Sequence, residues 1–121
     1  MNRIIVLLLA MVLMSCSKVV DIQLEPEVEV FFSNDSELRI RLTTNDEVYV
    51  VLNEWLHKNR TGWYATSGRY PGGVYIKSGI YGIQVTESKV VIYSTTSKKP
   101  KAMYIQDIQK GELSKVIHLG E

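Results

Sequence analysis

Side chains that carry chemistry are scarce in this chain, which has one cysteine and two histidines in 121 residues. A lone cysteine excludes an intramolecular disulfide, so the fold has to be held by its apolar core. His57 and His118 lie far apart, and neither has a second His or a Cys at metal-ligand spacing, which argues against a zinc site. Ser67 sits in Thr66-Ser67-Gly68-Arg69, without the glycine two places earlier that a nucleophile elbow carries. The glycines at 62, 68, 72, 73, 79 and 82 form neither a phosphate loop ending in Gly-Lys-Ser/Thr nor a dinucleotide fingerprint. They suit hairpin turns and strand bends instead. Carboxylates cluster only as Glu25, Glu27 and Glu29, whose alternation reads as one solvated strand face. This inventory points away from an enzyme and from any metal or cofactor. A formal net charge of +1 gives no global bias toward nucleic acid. No period of 20 to 50 residues repeats, which excludes a solenoid. The longest apolar run, Ile4 to Met14, falls short of the roughly twenty residues a spanning helix needs.

That run does fit the roughly 7 to 15 residues of an export-signal core, with Arg3 as the cationic region before it. Leu13-Met14-Ser15-Cys16 then resembles the lipobox of bacterial lipoproteins, with an aliphatic residue three places before the cysteine and a small one directly before it. The resemblance covers residues 1–17 only. It implies that the Cys16 thiol takes a diacylglycerol, that the chain is cut before Cys16, and that the freed amine is often acylated as well. Each buried methylene contributes about 0.8 kcal/mol, so two or three acyl chains make attachment effectively permanent. Ser17 stands where an aspartate would resemble an inner-membrane retention signal. The expected location is therefore the cell envelope, lipid-anchored: the outer membrane in a Gram-negative cell, the outer face of the cell membrane in a Gram-positive one.

The chain left after residues 1–15 is long enough for one domain and short for two. Residues 16–26 read as the lipidated cysteine and a tether, and residues 27–121 as the globular domain. Charge is split along it. Between Ser17 and Glu54 nine acids meet three bases; from Trp55 onward ten bases meet four acids. The split is either an internal match between two halves of one fold or a basic face offered to a partner.

Residues 28–32 and 38–42 alternate at period two around the turn cluster Ser33-Asn34-Asp35-Ser36, which predicts an antiparallel hairpin with Leu38, Ile40 and Leu42 inward and Arg39 and Arg41 outward. Thr44 or Asn45 can cap a helix whose first turn carries Asp46 and Glu47. In it Val48, Val51, Leu52, Trp55 and Leu56 form one apolar stripe, and Gly62 follows its exit after Asn59. Residues 63–66, 74–77, 80–86, 89–94 and 102–106 read as strands between turn formers. Residues 113–119 are ambiguous between a short helix and an edge strand, and the run Val116-Ile117-His118 favours the strand. The expected class is α+β: a single small domain, a mostly antiparallel β-sheet with one amphipathic helix packed on it.

The stretch from Trp63 to Tyr81 is the densest in interface-type residues, with Trp63, Tyr64, Tyr70, Tyr75 and Tyr81 beside Arg69 and Lys77. Trp, Tyr and Arg anchor interfaces because they give large contact area with a polar handle. Cross-strand pairing within the sheet would absorb Trp63, Tyr75 and Tyr81. Arg69 and Tyr70 lie in a Gly/Pro-rich loop with little core to fill. The candidate partner-binding set is therefore Arg69, Tyr70, Tyr64, Trp63 and Lys77. The function expected is non-catalytic binding of a protein partner by a lipid-anchored envelope protein, of the immunity, exclusion or inhibitor type. The alternative is a structural or assembly subunit of an envelope secretion or pilus complex. An enzyme or ligand carrier would need a convergent polar pocket, which the sequence does not announce.

Overall fold

The computed structural model describes residues 18–32, 35–70 and 72–119, and side chains throughout these except at 35–39. Residues 1–17, on which the expected signal sequence and Cys16 fall, and Pro71 lie outside the described residues. The elements, in order, are β1 (Glu27–Phe32), β2 (Asp35–Thr43), α1 (Glu47–Lys58), β3 (Tyr64–Ala65), β4 (Val74–Ser78), β5 (Tyr81–Val85), β6 (Lys89–Ser94), β7 (Lys101–Asp107) and α2 (Ser114–Ile117). The strands form one seven-stranded sheet in the order β2-β1-β4-β5-β6-β7-β3, antiparallel throughout. The α+β class expected from the sequence is the one observed.

Register explains how the period-two pattern becomes a core. Ile40, Val30, Ile76, Ile83 and Ile92 stand opposite one another across five strands, with Val74, Val85 and Val90 in a neighbouring row. All eight share one face, which α1 covers with Tyr49, Leu52, Trp55 and Leu56. Fully burying such a side chain contributes about 1.5–3 kcal/mol. Because β2 and β3 are the two edges of the sheet, the segment joining them has to traverse it, and α1 is that traverse.

Three expectations are corrected here. The cap of α1 is Asp46, not Thr44 or Asn45: its carboxylate turns back to accept from the Thr43 amide at 2.7 Å, and the helix begins at Glu47. The segment expected as a tether is part of the domain from Lys18 onward. Val20, Ile22 and Leu24 alternate into the core, the Lys18 amide donates to Trp63 O at 2.6 Å and the Val20 amide to Arg60 O at 2.7 Å. Tyr49 Oη clamps the far end of this strap by donating to Leu24 O and Glu25 O at 3.1 and 2.9 Å. The apolar alternation over 20–24 supplied that burial; the tether reading overlooked it. Residues 113–119 contain a short helix rather than an edge strand, because Leu113, Val116 and Ile117 bury together at helical spacing and β3 already pairs with β7. Glu112, just before it, accepts from Trp55 Nε1 at 2.6 Å, which ties α2 to α1. Among the described residues no helix is long and apolar enough to cross a membrane.

Candidate functional site: an aromatic groove with cationic banks

The face of the sheet turned away from α1 carries the site. Leaving the edge strand β3, the chain must reach β4 in the sheet interior, and residues 66–70 and 72–73 lie along that crossing on this second face. Gln84 of β5, whose position in the register is opposite to that of the core residue Ile83, fixes the crossing. Its Nε2 donates to Tyr70 O at 2.6 Å and Gly72 O at 2.9 Å, while its Oε1 accepts from Tyr93 Oη at 2.6 Å. A buried amide with three partners is a rigid fastener, since losing any of them leaves a desolvated polar atom. Tyr70 curls back so that its hydroxyl lies 2.5 Å from Thr66 Oγ1. Crossing segment and sheet are thus joined through side chains.

Beside this crossing lies an open groove of about 800 Å³. Its floor is aromatic. Tyr75 packs against Phe31 at 6.3 Å between ring centroids and meets Tyr93 edge-on at 5.7 Å, 64°. Gly82 of β5, opposite Lys77 and Tyr93 in the register, makes this possible: the Tyr75 side chain fills the space a Cβ there would occupy. Tyr75 Oη is buried without a hydrogen-bond partner among the described residues. Burial, and then the neighbouring Tyr93, push the Tyr75 hydroxyl above the usual tyrosine range, and burial followed by Tyr70 does the same for Tyr93. Both rings therefore stay neutral at physiological pH. Arg69 lines one bank, Lys98 and Lys99 the β6–β7 turn, and Lys77 the floor, whereas among the described residues no acidic side chain lines the groove.

Of the residues singled out from the sequence, Arg69, Tyr70 and Lys77 come together in this groove. Tyr64 is exposed on the edge strand, opposite Ile105 and outside the lining. Trp63 has to be withdrawn from the partner-binding set. It is 0 % exposed, its indole donates to Asn59 O at 2.6 Å, and its ring meets Trp55 edge-on. Its aromatic bulk serves the core. Phe31, Tyr93, Gln84, Lys98 and Lys99 were missed as site residues. Period two already put Tyr75 and Lys77 on one face, but only sheet order brings β1 and β6 alongside them.

A second cleft, of about 350 Å³, opens on the other face between the N-terminal strap and β5–β7, near the exposed Val19 and Ile80. Among the described residues its lining holds one carboxylate, Asp21, and no base. Among the described residues no group of three His, Cys, Asp or Glu could hold a metal ion. Comparison with family models, curated proteins and solved structures gives no match.

Proposed function

We propose that this chain is a small lipid-anchored protein of the bacterial envelope that binds a protein partner without catalysis, through the groove on the face opposite α1. One observation carries the reading: residues from four strands and two loops converge on an aromatic floor with cationic banks. Such a surface offers the residue types that dominate interfaces. The lipobox resemblance at Leu13-Met14-Ser15-Cys16 supports the anchor. Replacing Cys16→Ser should abolish incorporation of a labelled fatty acid into the chain, because the thiol is where the diacylglycerol would attach. Metabolic labelling checks it, and a variant that is still labelled would remove Cys16 as the lipid anchor from the reading.

The partner is tested by crosslinked pull-down of the full-length chain from its native envelope. A single stoichiometric partner, lost on the double replacement Arg69→Ala and Tyr70→Ala, is the expected result, with a loss of about 2 kcal/mol in affinity for two interface anchors. An unchanged partner with the double variant would take the groove out of the proposal. The nine-residue edge strand β2 favours a second reading, an assembly subunit, since its outer edge can take another strand. Recovery of a set of secretion or pilus components would select that reading.

A further inference from the structure

Resting on that reading, we propose the chemistry of the occupant: an extended acidic segment of the partner polypeptide, with an apolar side chain on the aromatic floor and carboxylates toward Arg69 on one side and Lys98 and Lys99 on the other.

Charge complementarity selects this occupant. Among the described residues the groove wall includes four cations and no acid, in a chain whose formal net charge is only +1. Its basic character is therefore local. The ion pairs Arg41–Glu27, Lys89–Asp107 and Lys115–Glu47 all lie outside the groove, so these acids are directed to other cations. The uneven charge along the sequence thus becomes, in part, a basic face rather than only an internal match between halves. A basic occupant would meet like charge, and an uncharged one would leave the banks unmatched.

Shape separates a chain segment from a small anion. Sites for small ligands commonly bury 70–90 % or more of the ligand surface in a concave pocket. This groove is open along one side and much larger than a phosphate or a carboxylate, and it leaves one face of any occupant uncovered. That suits a segment belonging to a larger body. The floor contributes what charge alone does not: Phe31, Tyr75 and Tyr93 give an apolar seat for one side chain. The banks then set register and sign, since charges at the rim of an interface govern encounter and selectivity.

The test uses the full chain in detergent and a fluorescein-labelled peptide carrying a central Phe flanked by aspartates. Matched peptides replace every Asp by Asn or by Lys, and inorganic phosphate serves as a competitor. The acidic peptide should bind at least about tenfold more tightly than the Asn peptide, weaken about threefold or more from 50 to 200 mM salt, and lose about tenfold with Lys98→Glu and Lys99→Glu together. Those two residues sit on an exposed turn, so the charge reversal leaves the fold standing. Equal binding of acidic and Asn peptides would overturn the acidic occupant while leaving the groove a protein site. Displacement by millimolar phosphate would overturn the polypeptide in favour of a small anion. If no peptide binds but the Arg69→Ala, Tyr70→Ala variant still loses its envelope partner, the acidic segment is wrong and partner capture stands. If no peptide binds and the partner is retained, both fall.

Discussion

Replacing Trp63→Ala should lower the stability of this domain by about 4 kcal/mol, the range found when a fully buried aromatic is truncated to Ala. Trp63 is 0 % exposed and sits where three parts of the chain meet. Its ring packs edge-on against Trp55 of α1, at 5.8 Å and 86°. Its indole N–H donates to Asn59 O at the end of that helix, and its own carbonyl accepts from the Lys18 amide of the N-terminal strap. Truncation opens a large cavity and deprives the Asn59 carbonyl of a partner. With total stabilities of about 5–15 kcal/mol usual for one domain, that is a large share. Thermal unfolding followed by circular dichroism should show the midpoint down by about 20 °C, or no cooperative transition. Tyr64→Ala, one residue on and 54 % exposed, serves as the control and should change stability by no more than about 0.5 kcal/mol. A Trp63→Ala variant as stable as the Tyr64→Ala one would mean that Trp63 does not organise the core, and would return it to the partner-binding set.

The second large effect is expected at the glycine where the crossing segment rejoins the sheet. Gly73 has φ +74°, a conformation that L side chains seldom adopt, and a Cβ there would run into Val85 O, with Val85 C at 2.8 Å and Thr86 Cα at 3.0 Å. These atoms are backbone at and just after the end of the neighbouring strand β5, held by its pairing to β4 and β6, so nothing flexible can yield. Gly73→Ala therefore combines backbone strain with a steric overlap resolved only by parting β4 from β5. A loss of about 3 kcal/mol or more is expected. Gly72 separates the two causes. It has φ +87°, but a Cβ added there would meet nothing within 4 Å, so Gly72→Ala should cost only the conformational part, about 1 kcal/mol. Urea midpoints for the two variants measure the difference, and equal midpoints would show that close approach of β5 is not what Gly73 serves.

Much of the fold was legible because its elements obey local rules. The hairpin of β1 and β2, the helix stripe and the strand 89–94 each carry a periodicity that burial enforces wherever the chain packs. Leu52, Trp55 and Leu56 were readable as core from spacing alone, and they are buried. Tyr49 was not, because its burial depends on two carbonyls of a distant strap that its hydroxyl reaches. The strap itself went unread, since three apolar residues between polar ones do not reveal what they lie against. The segment 113–119 shows the same limit: its strand reading fails because β3, far earlier in sequence, already pairs with β7.

The candidate site divides along the same line. Local sequence was enough to show which residue types crowd the 63–81 region and the alternation that puts Tyr75 and Lys77 on one face. Those properties belong to neighbours along the chain. Packing in three dimensions was needed to send Trp63 into the core while Arg69 and Tyr70 cross above the sheet, and to bring Phe31, Tyr93, Lys98 and Lys99 beside them. Strand order is the cause. In the order β2-β1-β4-β5-β6-β7-β3, β4 to β7 follow one another as hairpins readable from their turns, whereas residues from β1 become neighbours of β4 through hydrogen-bonded pairing distant in sequence that no local signal encodes.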